Sequence, residues 1–220
     1  FFPTIDEDGD RIAFLSTSDY TGANAGDDRN GELFLADTTA DTITQMTTTT
    51  GVSHGGSQPS ISDDGTRLVF ESANSFGGTN PGVALDLFLY DTTTAARTQI
   101  TDEVIWARGS EDADISGDGT LVAFLSAGDL TGTNPEGTYE VFRYDIASAT
   151  TTQVTEGGGL DPAVDHDGSH IVFLSGQIWM HDTTTATSFP VTAATGLGID
   201  YTPTIDATGA HVAWQSSKDH

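Results

Sequence analysis

One phrase recurs five times along the 220 residues and constrains the fold more than any other feature. It first reads Pro-Thr-Ile-Asp-Glu-Asp-Gly-Asp-Arg-Ile-Ala-Phe-Leu-Ser over 3–16, and it returns over 59–72, 113–126, 162–175 and 203–216. Its glycines, Gly9, Gly65, Gly119, Gly168 and Gly209, are spaced by 56, 54, 49 and 41 residues. A unit repeated at such a period cannot bury its apolar face alone and must stack on its neighbours.

Each copy reads as two strands, A and B, around an Asp-Gly turn. Gly supplies a positive φ there, and Asp tolerates the same region while bonding the local backbone. The near-continuous apolar run of strand B, as at 121–125, implies burial on both faces. A second phrase follows four times as strand C: Glu32-Leu-Phe-Leu-Ala-Asp37, Asp86-Leu-Phe-Leu-Tyr-Asp91, Glu140-Val-Phe-Arg-Tyr-Asp145 and Gln177-Ile-Trp-Met-His-Asp182. A Thr/Ala turn then leads to strand D at Thr44–Thr47, Thr98–Thr101, Thr152–Thr155 and Phe189–Thr192. The expected fold is an all-β propeller of about five blades, each of four antiparallel strands, with strands A and B alone in the last. It forms a single domain over 1–220, with blades near 1–56, 57–110, 111–159 and 160–199 and a partial blade over 200–220. The last blade leaves an open strand edge near Val212–Gln215. Either the polypeptide continues beyond residue 220, or strands of another chain complete the blade by β-augmentation, through a protein partner or self-assembly.

Across the whole chain the pattern resembles the TolB-type, WD-like propeller repeat. That repeat reads Pro-x-x-Ser-x-Asp-Gly-x-x-Ile-Ala-Phe-x-Ser, then a strand ending aromatic-Asp, then Gln-Leu-Thr. Tyr90-Asp91 and Tyr144-Asp145 stand where true WD repeats carry Trp-Asp, and Asp206-Ala-Thr-Gly209 departs most from the turn pattern. The resemblance implies a periplasmic, extracellular or cell-surface setting in a prokaryote. Similar propellers also gate serine peptidases of the prolyl-oligopeptidase type, which implies an alternative role as an accessory domain of a larger secreted enzyme.

Charge narrows the partners. Acidic residues number 33 against 7 basic ones, a net charge of −26, and Lys218 is the single lysine. Phosphate binding needs clustered Lys and Arg, so nucleic acid is excluded as a partner. No apolar run approaches the roughly 20 residues that span a bilayer, so membrane insertion is not expected. With no Cys, disulfides, thiol catalysis and Cys-bound metals are excluded. The Asp-rich, Lys-poor balance fits a surface that stays hydrated in high salt. The chain begins with Phe, and a processed form or a part of something longer is expected.

Chain direction places the D–A and B–C loops on one face, and function usually resides in such variable loops. They carry Tyr20, His54, Phe76, Trp106, Arg108, Tyr139 and Tyr201, which read either as an aromatic-dotted binding face for a glycan or small ligand, or as rings pinning long loops. The B–C loops repeat a carboxylate, an Asn and a second carboxylate: Asp19, Asn24 and Glu32, then Asp129, Asn134 and Glu140. Hard oxygen ligands at this spacing suit Ca²⁺, and the competing reading is Asx turns that close the loops. Asp112, Asp114 and Asp161 flank innermost strands and are candidates for lining a central channel. No nucleophile elbow, His-Glu-x-x-His or phosphate loop occurs, so no catalytic residues are assigned. The expected role is a non-catalytic protein-interaction or assembly module.

Overall fold

The computed structural model describes residues 3–22, 31–49, 57–76, 84–103, 105–193 and 200–217. The chain divides into two compact units, Phe1–Ala113 and Asp114–His220. The first holds two four-stranded antiparallel sheets. One runs β1 (Thr4–Ile5), β2 (Arg11–Ser16), β3 (Glu32–Asp37), β4 (Thr42–Gln45), and the other β5 (Ser57–Ile61), β6 (Arg67–Ser72), β7 (Asp86–Asp91), β8 (Arg97–Gln99). A short 3-10 turn, Trp106–Arg108, leads to β9 (Ser110–Ile115), in which the division between the units falls.

In the second unit β10 (Leu121–Ser126), β11 (Glu140–Asp145) and β12 (Thr150–Gln153) follow β9 in a third four-stranded sheet. The fourth consists of β13 (Leu160–Val164), β14 (His170–Leu174), β15 (Ile178–Asp182) and β16 (Thr187–Pro190). The last sheet has two strands, β17 (Asp200–Ile205) and β18 (Val212–Ser216). No helix among the described residues is long and apolar enough to cross a membrane.

Strands B and C meet in one register throughout. Phe14 lies opposite Phe34, Phe70 opposite Phe88, Phe124 opposite Phe142, and Phe173 opposite Trp179. The first three pairs stack with ring centroids 5.7, 5.6 and 5.8 Å apart. Such pairs add about 0.5–1.5 kcal/mol beyond the area they bury. Neighbouring sheets then share a core: Ala13, Leu33 and Leu35 of the first pack with Ile61, Leu68 and Phe70 of the second. In the second unit Leu121, Ala123 and Val141 pack with Val164, Ile171 and Phe173.

The A–B turns keep their glycines at φ between +66° and +76°, as the sequence requires. The preceding Asp does not share that conformation; Gly alone is left-handed. The side chain three residues before the Gly closes the turn as an acceptor. The N–H groups of Arg11, His170 and His211 donate to Asp6, Asp165 and Asp206, and those of Arg67 and Leu121 donate to Ser62 and Ser116 in the same position. Strand D also departs from expectation, beginning about two residues early. Its closing threonines, Thr47, Thr101, Thr155 and Thr192, lie beyond the strand because their hydroxyls are committed inward, as described next.

Candidate functional site

The acid that opens strand C is buried in the first three sheets and takes protein donors. Glu32 accepts from the Thr47 hydroxyl at 2.5 Å and the Thr49 N–H at 2.7 Å. Asp86 accepts from the Thr101 hydroxyl at 3.0 Å and the Glu103 N–H at 2.9 Å. Glu140 accepts from the Thr155 hydroxyl at 2.5 Å and from the N–H groups of Gly157 and Gly158. Each threonine in turn accepts the N–H that follows the acid, and charge-assisted bonds of this kind are the strong ones. The fourth sheet has Gln177 there; its Oε1 is buried without a hydrogen-bond partner, and Thr192 donates to Asp200 instead. Burial pushes Asp86 up to about 6, against the donors that favour its ionised form.

These bonds give the carboxylates singled out for Ca²⁺ a structural occupation. Asp129, Asn134 and Glu140 do come together, with the Asn134 N–H on Asp129 at 2.7 Å and Thr138 bridging Asn134 and Glu140. The Asn134 amide spends its hydrogens on the carbonyls of Gly128 and Thr138. In the first loop Asp19 is exposed, Glu32 is buried, and Asn24 lies outside the described residues. Among the described residues no group of three or more His, Asp or Glu is placed to hold a metal ion.

The aromatic loop residues separate into two sets. Tyr20 stands edge-on to Phe14 and Phe34, and Phe76 edge-on to Phe70 and Phe88, with the Arg97 guanidinium 4.4 Å from the Phe76 ring centroid. These rings cap the stacked pairs. Tyr20 is nevertheless exposed, as are Tyr139 and Tyr201. Tyr139 lines a cavity of about 400 Å³ with Gly157, Gly158, Gly159, Leu160 and Leu174. Trp106 and Arg108 form the 3-10 turn before β9, and His54 lies outside the described residues.

Of the aspartates expected to line a channel, Asp114 ties two innermost strands together, while Asp112 bonds to β6, a strand of the B type. Asp114 accepts the Val164 N–H at 3.0 Å, and the Asp112 N–H donates to Glu71 at 2.7 Å. Asp112 and Asp161 are themselves left-handed, at φ +51° and +49°, as are Gln58 and Thr202 at the same point of their strands. The repeat pattern does not single out Glu71, although its oddity is visible there: the equivalent positions hold Leu15, Leu125, Leu174 and Gln215, none of them acidic. Burial raises its pKa to about 7, opposed by the Asp112 and Ser57 donors and reinforced by the Asp112 and Glu111 charges.

The unfinished sheet is the most distinct feature. Among the described residues β18 pairs with β17 alone. In β10 every residue is buried, whereas in β18 none is. Position by position, the first residue of strand B faces the Asp that closes strand C, as Arg11 faces Asp37 and His170 faces Asp182. The last faces the Glu or Asp that opens it, as Ser126 faces Glu140. His211 and Ser216 hold these two positions in the last sheet, with Trp214 between them at the stacking position. Ser216 donates to buried Asp200 at 2.7 Å, and Asp206 accepts from the His211 ring at 2.9 Å, a bond that holds its carboxyl below the usual range.

No family model and no curated protein matches the sequence. Solved structures do. A putative TolB from Agrobacterium tumefaciens is similar over 98% of this chain and 69% of its own, at 19% identity and a TM-score of 0.65. TolB from Acinetobacter baumannii is similar over 99% of this chain and 54% of its own, at 20% identity and a TM-score of 0.57. A prolyl endopeptidase is similar over 99% of this chain and 32% of its own, at 12% identity and a TM-score of 0.67. The fold is therefore that of a β-propeller with four complete blades and a two-stranded one, structurally similar to the TolB propellers.

Proposed function

We propose that this chain is a non-catalytic, extracytoplasmic propeller module that binds other polypeptides by taking an extended strand along β18. One observation supports the reading: β18 keeps Val212, Ala213 and Trp214 of the B-strand phrase, and among the described residues it pairs in a sheet with β17 alone. The occupant is a strand of the C type, opening with an acid and closing with Asp, with an aromatic residue to stack on Trp214. The structural similarity to TolB proteins supports the extracytoplasmic setting. The similarity to a prolyl endopeptidase, of which this chain spans 32%, favours a second reading, a propeller accessory to a peptidase in a longer polypeptide. Sequence beyond residue 220 with a nucleophile elbow would decide for the second.

The test uses a peptide copying residues 84–101, strands C and D of the second blade, labelled and titrated with the chain. Saturable binding is expected, weakened roughly tenfold or more by Trp214→Ala, about 1.4 kcal/mol or more. Absence of binding, or equal binding to a folded Trp214→Ala chain, overturns the strand-uptake reading.

A further inference from the structure

The fourth blade is built with less loop than the three before it. Between the B-strand phrase and strand C those blades place 15, 13 and 13 residues, whereas Gly176 alone joins Ser175 to Gln177. The serine that closes the phrase records the difference. The hydroxyls of Ser16, Ser72 and Ser126 accept N–H groups of their own loops, from Ser18, Asn74 and Gly128, at 2.9–3.1 Å. The Ser175 hydroxyl has no hydrogen bond among the described residues. Gly176 is left-handed at φ +68°, and a Cβ there would meet nothing within 4 Å.

The space left uncovered is the cavity of about 400 Å³ beside Tyr139, and all its walls belong to the third and fourth blades. On one side stand Tyr139 and three glycines, on the other Leu160, Leu174 and Ser175. Gly159 has no room for a side chain, because a Cβ would stand 2.8 Å from Val141 Cγ2. Tyr139 and Leu160 are 41% and 46% exposed, large apolar side chains held open at a concave surface. No charged side chain lines the cavity among the described residues. Its backbone donors are already taken: the N–H groups of Gly157 and Gly158 by Glu140, that of Gly159 by the Tyr139 carbonyl, that of Ser175 by the Gln177 carbonyl. The cavity therefore offers apolar surface, the Tyr139 ring and the Ser175 hydroxyl.

We propose that this cavity binds a free, uncharged aromatic molecule of the phenol class, with its ring against Tyr139 and the leucines and its single hydroxyl on Ser175. A charged ligand would be desolvated there with no ionic group to pair with. The second unit also carries 14 acidic side chains against one Arg and one Lys, which repels anions. A sugar ring would bring several hydroxyls to mostly apolar walls. A polypeptide would find no free main-chain donor on the Gly157–Gly159 wall. The cavity shares no residue with the last sheet, so the proposal is independent of strand uptake by β18.

The test titrates p-cresol into the full chain and follows backbone amide shifts by NMR. Saturable shifts are expected at Gly157, Gly158, Gly159 and Gly176, with the amides of β18 unmoved. Toluene, which lacks the hydroxyl, is expected to bind about fivefold more weakly, and Ser175→Ala to erase that difference. Tyr139→Ala is expected to weaken p-cresol roughly tenfold or more, and Tyr139→Phe to keep its affinity within about twofold. Thermal melting verifies that each variant is folded. Absence of saturable shifts at these glycines, or equal binding to a folded Tyr139→Ala chain, overturns the proposal. A preference for toluene that Ser175→Ala leaves unchanged overturns it too. Tighter binding of tyramine, of a methyl glucoside or of N-acetyltyrosinamide than of p-cresol overturns it in favour of a cation, a sugar or a polypeptide.

Discussion

Strand β10, Leu121-Val-Ala-Phe-Leu-Ser126, and the segment that carries β18, His211-Val-Ala-Trp-Gln-Ser216, share Val, Ala and Ser and an aromatic residue at the fourth position, and live in opposite surroundings. In β10 every residue is buried; it lies between β9 and β11. In β18 each residue is half-buried or exposed. Burial in this fold depends on neighbours in the array, as in other repeat proteins, as well as on the strand's own residues, which are Leu121 and Leu125 in the third blade against His211 and Gln215 in the last. The proposed strand uptake rests on this difference between the two strands.

The comparison can be broken most directly by truncating the stacking residue in each strand. Phe124→Ala should cost about 3–5 kcal/mol, while Trp214→Ala should cost under about 1 kcal/mol because little burial is lost. Chemical denaturation measures both, and equal losses would mean that β18 is already covered. The turn glycines sharpen the point. Gly9→Ala should cost about 1 kcal/mol for its left-handed backbone alone. Gly65→Ala adds a clash with Arg11 and Asp6 and should cost about 2–3 kcal/mol. Matching values would mean that Arg11 and Asp6 do not constrain the Gly65 turn.

Glu71 tests what happens when an interior position of strand B holds an acid where β10 has Leu125. Its carboxyl moves from the usual 4.5 to about 7 on folding, so between these values the native state binds more protons than the unfolded one. Stability therefore falls as pH rises through that window, by at most about 3 kcal/mol, at roughly 1.4 kcal/mol for each pH unit crossed. Asp86, raised to about 6, adds a fall of the same sign. Asp91 works oppositely: the Thr93 hydroxyl and Thr94 N–H hold it at about 2, and its contribution is lost as pH drops below the usual carboxylate range. Melting temperature in dilute buffer should peak at about pH 4, where the two opposing windows meet. Glu71→Gln should flatten the limb above the peak; an unchanged limb would show that Glu71 does not cause it. The smallest effect is expected at Ala149, left-handed at φ +52° in a C–D turn, where Ala149→Gly should stabilise by about 0.5–1 kcal/mol.

The recurring phrase makes the strands, their order and the glycine turns legible, because a period of two and an obligatory positive φ leave direct marks in sequence. The closing threonines lie about two residues beyond the position expected of them, since β-branched Thr suits a strand and equally a hydroxyl clamp. Glu32 and Glu140 resemble metal ligands for a related reason: a buried carboxylate bound by Thr hydroxyls and backbone N–H groups uses the same residue types as a cation site. The signal that separates the two is the recurring partner, a Thr fifteen residues after the acid in three of the four repeats. Left-handed Asp112 and Asp161 are not legible, because nothing in Asp itself demands that conformation. The open edge near Val212–Gln215 is legible from counting strands, but the cavity beside Tyr139 needs the placement of Gly157, Gly158 and Gly159 against Leu174.

Amide hydrogen exchange read strand by strand tests the central claim most directly. In the isolated chain the amides of β18 should exchange well before those of β10, and the peptide copying residues 84–101 should slow them toward β10 rates. Amides of β18 that are as protected as those of β10 without any partner, or that are unmoved by the peptide, would contradict the account of an unfinished blade awaiting a strand.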